Sequence, residues 1–386
     1  MVYVADAIAA VPERVHSFDD PTTGLKGAIV IHSTRMGPAA GGCRFHAYAS
    51  DHERSMDAIR LAEGMSYKNA LAGLPLGGGK AVLQMPACPV DRAKLFQAFG
   101  REVAALRGAY VTAEDVGTTV ADMAQVRTAT THVAGLPAIG SAPGGDPSPS
   151  TARGVFLSIE LALERKLGRP VKGATIAVQG LGAVGFALCT LLDKAGARLI
   201  IAEPRTEIAK RARKLFGAEQ MSVGGIVGAE AEVFAPCAFG AVLTARSIRK
   251  LKAQIVCGAA NNQLATAADG DLLADRRVLY APDYVVNAGG IINVAAEYLA
   301  WDAGVASARV EAIPETLRAI FDLAERESLS TARAADRRAR EIIAAGPASG
   351  DERADDKPHV DAHAANPSRF EESKAVNRFN GGRLGG

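Results

Sequence analysis

Cysteine is scarce in this sequence, and the cysteines are far apart. Among 386 residues there are five, an odd number, and the two nearest, Cys237 and Cys257, are 20 positions apart. A disulfide framework or a CxxC metal knuckle needs a denser pattern, and no His and carboxylate cluster with metal-ligand spacing is present. We therefore expect a protein of the reducing cytoplasm with no metal site.

The sequence also lacks an excess of charge of one sign. Lys and Arg together number 44, Asp and Glu 42, and the formal net charge is +2. A strongly basic surface is the usual electrostatic signature of proteins that bind nucleic acid or anionic membranes. Neither class of partner is expected here.

Long apolar runs are equally rare. Residues 173–192 form an uncharged stretch of 20, but it contains Gln179 and four glycines, and a strand, turn and helix explain it better than a membrane span. Residues 346–386 hold only five large apolar side chains, too few for a core, so they are predicted to be a disordered tail.

What the chain does contain is an alternation of strand-like and helical patterns, which is typical of α/β proteins. The predicted strands are 28–33, 80–85, 110–113, 175–179 and 198–203, with shorter ones near 233–236, 254–258, 278–282 and 284–287. Helical spacing is found over 51–71, 90–106, 152–166, 183–195 and 291–343. A loop rich in Pro, Gly and Ser at 139–151 predicts a boundary between two α/β domains, the second a doubly wound Rossmann-type domain.

Residues 180–185, GLGAVG, have the spacing GxGxxG between a predicted strand and a predicted helix. Gly180 permits a tight turn, Gly182 lets the backbone approach a pyrophosphate, and Gly185 allows close packing of helix and strand. Glu203 ends the next strand, where an acidic side chain binds the adenosine ribose and repels a 2′-phosphate. The pattern predicts NAD, although Arg205 could also pair with a phosphate. The residues assigned to this cofactor site are Gly180, Gly182, Ala183, Val184, Gly185 and Glu203.

Three charged residues are candidates for catalysis or substrate binding because of their positions in the sequence. Lys80 follows three glycines, which we interpret as room for a ligand, and enters an apolar strand, where burial favours proton transfer. Lys68 and Lys80 flank an uncharged segment, residues 69–79. Asp115 ends a predicted strand, the edge of an α/β sheet at which ligands gather.

A series of motifs in order along residues 20–343 resembles the glutamate, leucine, phenylalanine and valine dehydrogenases, and is most similar to the leucine branch. The motifs are GPAAGGCRF (37–45), GMSYKNALAGLPLGGGKAV (64–82), VTAEDVGTT (111–119), GDPSPSTARGV (145–155), VQGLGAVG (178–185), APCAFGAVL (235–243), AANNQL (259–264) and APDYVVNAGGIINV (281–294). The resemblance implies an NAD-dependent, reversible conversion of an L-amino acid to a 2-oxo acid and ammonium.

The resemblance also implies roles for matched positions. Lys68, with backbone at Gly41 and Gly42, would hold the substrate carboxylate. Lys80 would activate the water that attacks the iminium, and Asp115 would move protons to and from the substrate nitrogen. Asn262 would lie beside nicotinamide and substrate, and Thr151 would bond the carboxamide.

The domains implied are a substrate-binding and oligomerisation domain (1–140), with a helix at about 330–345 packing back on it, and an NAD-binding domain (146–329). The partners implied are an amino acid, its 2-oxo acid and further copies of the same chain in a homo-oligomer.

Four positions matched to the substrate side-chain pocket are apolar: Ala40, Ala113, Ile291 and Val294. An apolar pocket disfavours charged substrates, so leucine, isoleucine and valine are predicted. Phenylalanine remains an alternative, since Ala40 leaves room for a ring, whereas glutamate is disfavoured because its enzymes carry a lysine there. An alternative of another class is an NAD-binding sensor or scaffold without catalysis.

Overall fold

The computed structural model describes residues 11–137, 143–238 and 240–347. Two sheets, each with helices around it, make up what we call the first and second lobes. The first lobe consists of β1 (Arg14–Asp20), β2 (Leu25–Ser33), β3 (Ala39–His46), α1 (Asp51–Leu71), β4 (Gly77–Gln84), α2 (Arg92–Ala105), β5 (Tyr110–Glu114) and α3 (Val120–Arg127).

The first sheet has the order β1-β2-β4-β3-β5 and is mixed. β1 and β2 are antiparallel, as are β2 and β4, whereas β3 is parallel to both β4 and β5. Helices cover both faces, which explains why its central strands are buried along nearly their whole length. Ile29 and Leu83 pack with Phe96 of α2 on one face, and Val30 packs with Ala62 of α1 on the other.

The second lobe begins with the helix that precedes its sheet. Its elements are α4 (Ser148–Leu167), β6 (Thr175–Gln179), α5 (Ala183–Lys194), β7 (Arg198–Ala202), α6 (Thr206–Phe216), β8 (Glu219–Gln220), a 3-10 turn (Ile226–Gly228), β9 (Val233–Pro236), α7 (Ala245–Lys250), β10 (Ile255–Val256), α8 (Ala267–Asp275), β11 (Leu279–Tyr280), α9 (Asp283–Val286), α10 (Gly289–Tyr298), α11 (Ala303–Glu311), α12 (Ile313–Glu327) and α13 (Thr331–Ala345).

The second sheet is parallel throughout, in the order β8-β7-β6-β9-β10-β11. Counted from β6, this is the 3-2-1-4-5-6 order of the doubly wound Rossmann fold. The strand order reverses between β6 and β9, and ligands of such sheets bind in the crevice at the carboxyl ends of these strands. The predicted α/β class and Rossmann-type second half are confirmed.

The last described helix, α13, contacts α1 of the first lobe. The Arg340 guanidinium donates to the hydroxyl oxygen of Tyr67 at 2.9 Å and lies over its ring, and Arg35 donates to the carbonyl of Ala344 at 3.1 Å. The chain thus returns to its first lobe before residue 348. The tail predicted from the sequence lies outside the described residues, apart from its first two positions.

Two predicted elements are wrong. Residues 284–287, predicted as a strand, belong instead to the short helix α9, whose first turn is stabilised by the Asp283 carboxylate accepting from Tyr284 N at 2.7 Å. The Tyr284 hydroxyl also donates to Asp336 of α13 at 2.5 Å, so long-range contacts override a local preference for strand. The second error is that residues 148–151, predicted as loop, form the first turn of α4. Pro149 is tolerated there because backbone N–H groups in the first turn of a helix have no partner within the helix.

The glycine-rich segment containing Cys43, for which no strand was predicted, is strand β3, and Cys43 is fully buried within it. Among the described residues, no helix is both long and apolar enough to cross a membrane.

Candidate active site

Residues from three neighbouring strands form the site. Successive side chains of a strand point to opposite faces of a sheet, so every second residue lies on the same face. On β3, Cys43 faces α2 with the core, so Gly42 and Arg44 face α1. On β4, Val82 packs with α1, and Lys80, two residues earlier, has the same orientation. Asp115 follows β5, the strand on the other side of β3, so groups from three strands meet on one face of the sheet.

Lys80 and Asp115 form an ion pair in this place. The Lys80 ammonium lies 2.9 Å from Asp115 Oδ2, and the Lys80 residue is only 5% exposed. Burial by itself would raise the pKa of Asp115, but Lys80 and Arg44 outweigh it and lower that pKa to about 2. Asp115 is therefore a carboxylate at neutral pH, held beside a buried ammonium.

Glycines on β3 and β4 make this approach possible. A Cβ on Gly42 would lie 2.8 Å from Asp115 Cβ, and a Cβ on Gly41 would lie 1.9 Å from the carbonyl oxygen of Gly79. A Cβ on Gly78 would lie 2.1 Å from Ser66 N of α1. The interpretation of the glycines before Lys80 as room for a ligand is therefore wrong, since protein atoms fill that space.

Lys68 lies at the end of α1 and reaches across to the second lobe. Its ammonium donates to Asn261 Oδ1 at 3.0 Å, and Asn287 donates to the same oxygen at 2.8 Å. Loss of hydration lowers the pKa of Lys68 to about 8, despite the nearby Asp283 carboxylate. A cation with a neutral amide partner is suited to receive a carboxylate.

The matched pocket positions share an apolar region next to these charges. Ala40, Ile291 and Val294 belong to one hydrophobic cluster, which also includes Met65 and Val111. Ala113 is buried on β5, two residues beyond Val111 on the same face. Met65 and Val111 were missed by sequence reasoning.

The glycine turn at the switch point of the second sheet fits a dinucleotide. Gly180 has φ +90° and Gly185 packs so closely that a Cβ there would lie 2.0 Å from the carbonyl oxygen of Gly180. A Cβ on Gly182, by contrast, would meet no atom within 4 Å, and no side chain caps the N-terminus of α5 at this residue. The backbone N–H groups of Ala183 and Val184 open α5 at this uncapped end, which is how Rossmann proteins receive a pyrophosphate.

Glu203, at the end of β7, is nearly fully buried. Its carboxylate accepts from Leu181 N at 2.8 Å, from Arg205 N at 3.0 Å and from Arg205 Nε at 2.6 Å. The hydrogen bonds from the Arg205 side chain are the largest cause lowering the pKa of Glu203 to about 2. The acidic residue is thus in the predicted place, but Arg205 covers it.

The two remaining cofactor positions are arranged differently. Thr151, in the first turn of α4, donates its hydroxyl to the Pro147 carbonyl at 3.0 Å. Asn262 has the left-handed φ of +52° and is exposed. It lines a cleft of about 910 Å³ together with Asp115, Val116 and Asn261, so both lobes contribute to this cleft.

The sequence matches known dehydrogenases along most of its length. Residues 12–132 match the family described as Glu/Leu/Phe/Val dehydrogenase, dimerisation domain, and residues 201–348 match Glutamate/Leucine/Phenylalanine/Valine dehydrogenase. Together these ranges cover more than half of the chain. The chain belongs to the Glu/Leu/Phe/Val dehydrogenase family.

Individual members of the family are similar to this chain over most of its length. The leucine dehydrogenase of Geobacillus stearothermophilus is 43% identical over 86% of this chain and 90% of its own length. The valine dehydrogenase of Streptomyces virginiae is 44% identical over 84% and 92%. The crystal structure of L-tryptophan dehydrogenase from Nostoc punctiforme superposes with a TM-score of 0.76 at 37% identity, covering 86% of this chain and 96% of that one. The protein is an amino acid dehydrogenase.

Two polar residues of this dehydrogenase were missed by sequence reasoning. Arg44 donates to Asp115 Oδ2 at 3.1 Å. Asn261, which precedes the predicted site residue Asn262, accepts a hydrogen bond from Lys68. The signal for Arg44 was its position two residues after Gly42, which becomes informative once β3 is recognised as a strand. Within the three described ranges, no group of three or more His, Cys, Asp or Glu side chains is placed to hold a metal ion.

Proposed function

We propose that this dehydrogenase converts leucine, isoleucine or valine to the 2-oxo acid and ammonium, with NAD as the oxidant. The observation that carries the proposal is the ion pair of Lys80 and Asp115, 2.9 Å apart, beside the ammonium of Lys68 and an apolar cluster. Relatives named for leucine and valine support the same substrate class.

The residues divide the work as follows. Lys68 and the backbone at Gly41 and Gly42 bind the substrate carboxylate, while Asp115 takes a proton from the substrate nitrogen. The bound dinucleotide supplies a hydride acceptor for the hydrogen on Cα. Lys80 then activates the water that attacks the iminium carbon and stabilises the oxygen of the carbinolamine, which releases ammonia as the ketone forms.

The substrate preference follows from the lining of the pocket. Ala40, Ala113, Ile291 and Val294 offer no partner to a charged or polar side chain, whose desolvation would be uncompensated. Size discriminates weakly, since one methylene is worth about 1–3 kcal/mol, so activity should spread over several aliphatic amino acids.

A second candidate substrate class is aromatic. Ala40 has a small side chain at a position matched to the substrate pocket, where a small residue would leave room for a ring. The relative from Nostoc punctiforme that is named for tryptophan, 40% identical over 83% of this chain, supports this alternative.

The test is a panel of L-amino acids, with NADH formation followed at 340 nm. The order expected for kcat/KM is leucine, isoleucine and valine ahead of phenylalanine and tryptophan, with aspartate, glutamate and lysine inactive. A phenylalanine or tryptophan value above every aliphatic one would show that Ala40 decides the pocket. Absence of NADH with the whole panel would contradict the proposed reaction.

The choice of NAD rests on Glu203, whose negative charge at the end of β7 opposes a 2′-phosphate. We expect kcat/KM with NAD to exceed that with NADP by more than about tenfold. A tenfold difference corresponds to a free-energy difference of about 1.4 kcal/mol. Arg205 is the opposing feature, because its side chain is 58% exposed and covers this carboxylate. Arg205→Ala should therefore increase the preference for NAD, and the control is Arg213→Ala, on the helix α6 that directly follows Arg205. Equal use of both cofactors by the unaltered protein would show that Arg205 governs the site.

We propose further that the protein is a cytoplasmic homo-oligomer assembled through its first lobe. The match of residues 12–132 to a dimerisation domain supports the assembly, and β1 lies at the edge of the first sheet. The free cysteines, three of them buried, fit a reducing compartment. Light scattering after size-exclusion chromatography tests the assembly, and a mass of one chain at micromolar concentration would contradict it.

A further inference from the structure

A second cation contacts the carboxylate of Asp115. Arg44, on β3, donates from Nε to Asp115 Oδ2 at 3.1 Å, the same oxygen that Lys80 approaches to 2.9 Å. The Arg44 side chain is only 19% exposed and that of Asp115 17%. A buried ammonium and a partly buried guanidinium therefore share one carboxylate oxygen.

The other end of the Arg44 guanidinium is also held. Nη1 donates to Asp57 Oδ2 at 3.1 Å, and the Tyr48 hydroxyl donates to the same oxygen at 2.8 Å. Asp57 lies on α1, so Arg44 connects the helix to the residue that follows β5. A planar guanidinium fixed at both ends has little freedom to turn away from Asp115.

The groups that face Asp115 differ in whether their charge changes. Lys80 on β4 and Arg44 on β3 contact it, and Lys68 on α1 acts on it from further away. The titratable groups around it that are neutral at pH 7 are Cys43, Tyr48 and Tyr110. Lys80 must give up its proton to activate water, whereas a guanidinium stays charged throughout. Arg44 is thus the constant positive charge beside Asp115.

We propose that Arg44 is a positioning residue of the reaction, which anchors Asp115 over the glycines of β3 and supplies a constant positive charge beside it while Asp115 and Lys80 exchange protons with the reacting groups. The proposal rests on the function assigned to Lys80 and Asp115 above. It differs from a purely structural role for Arg44 as a link between α1 and β3, which would affect stability alone.

The test compares Arg44→Met and Arg44→Lys with the unaltered enzyme. In Arg44→Met we expect kcat for leucine to fall about 10- to 100-fold, less than the roughly 10²–10⁴-fold contributed by an acid–base group itself, because Asp115 and Lys80 both remain. KM for leucine and NAD should change less than about threefold, since the apolar pocket, Lys68 and the glycine turn remain. Because loss of the Arg44 charge raises the pKa of Asp115, the acid limb of the kcat–pH profile, where Asp115 becomes protonated, should move to higher pH. Arg44→Lys should recover part of both effects.

The matched control is Arg169→Met. It removes another partly buried pair, in which Arg169 contacts Glu232 at 2.5 Å at the amino end of the second sheet, away from the glycine turn. This variant should lower the melting temperature without changing kcat or its pH profile. Asp57→Asn, which loosens Arg44 without touching Asp115, should shift kcat in the direction of Arg44→Met by a smaller factor, and it replaces Arg44→Met should that variant fail to fold.

Three results would overturn the proposal. One is a kcat within threefold of the unaltered enzyme with an unchanged pH profile. Another is a lower melting temperature with no kinetic change, which would leave Arg44 a structural link. The third is a large rise in KM for NAD at constant kcat, which would make Arg44 a cofactor-binding residue. An unaltered enzyme that is inactive on the whole panel would instead contradict the proposed function.

Discussion

At the scale of single residues, the charged side chains of the site have specific partners. Lys80 is paired with a carboxylate, whereas Lys68 is paired with the neutral amide of Asn261. Without a contacting anion to offset its desolvation, Lys68 has a pKa lowered to about 8, within reach of ordinary assay conditions. The difference suits the proposed roles, because a cation that contacts an amide and no carboxylate can bind the carboxylate of the substrate.

The pKa of Lys68 predicts how carboxylate binding depends on pH. Only the protonated ammonium attracts the carboxylate, so affinity should be constant below about pH 8 and fall above it, approaching tenfold per pH unit. The measurement is the dissociation constant of 4-methylpentanoate, which carries the carboxylate and side chain of leucine without its titrating amine, in the presence of NAD.

The control for this prediction is Lys68→Arg. A guanidinium keeps its charge over the whole range, so its affinity should not depend on pH between 7 and 10, whatever its absolute value. A constant affinity in the unaltered enzyme would show that Lys68 does not hold the carboxylate as proposed.

At the scale of elements, close packing of α1 on the first sheet brings Lys68 and Lys80 together. This packing depends on Gly78, where a Cβ would lie 2.1 Å from Ser66 N and 2.4 Å from Ser66 Cα. Backbone atoms of a helix cannot move aside as a flexible side chain can. α1 would have to shift away from β4, and Lys68 with it.

Gly78→Ala is therefore expected to destabilise the protein by about 1–3 kcal/mol, the usual cost of overpacking, and to lower kcat/KM for leucine as well. Gly64→Ala is the matched control, since Gly64 lies in α1 with no atom within 4 Å of its added Cβ. Alanine is the better helix former, so Gly64→Ala should be neutral or stabilising by up to about 1 kcal/mol. Thermal unfolding measures both, and equal melting temperatures for the two variants would refute the packing argument.

At the scale of the whole molecule, the groups proposed for substrate chemistry and the groups proposed for cofactor binding lie in different lobes. Lys80, Asp115 and Lys68 belong to the first lobe, and the glycine turn lies at the switch point of the second sheet. At the site the lobes meet through the hydrogen bond of Lys68 with Asn261, through the shared walls of the cleft and through the apolar cluster that contains Ala40 and Ile291. Cofactor binding and turnover should therefore respond to different substitutions.

Lys80→Ala tests this separation. Turnover should fall by at least about 10²-fold, the lower end of what acid–base groups contribute, while the dissociation constant of NADH changes less than about threefold. NADH fluorescence titration and the 340 nm assay measure the two quantities on one preparation. Loss of NADH binding together with turnover would mean that Lys80 supports folding or the arrangement of the lobes rather than the chemistry.

The sequence by itself determined the elements whose local signals are strong. The strands 175–179 and 233–236 have the predicted bounds, and the GxGxxG turn lies where its neighbours implied. Lys68, Lys80 and Asp115 could be picked out because charge is unusual beside glycines and at the end of an apolar strand. These signals are short-range, so the sequence alone carries them.

The tertiary structure decided what depends on residues distant in sequence. β3 was not recognised because its glycines give no strand signal. Glycine is needed there because backbone atoms of β4 and β5 lie where a Cβ would be. Helix α9 depends on α13, and the contact of Lys68 with Asn261 joins residues 193 positions apart. Arg44 acquires its place beside Asp115 only when β3 lies between β4 and β5, because pairing of the strands, rather than any local pattern, brings the two charges to one face of the sheet.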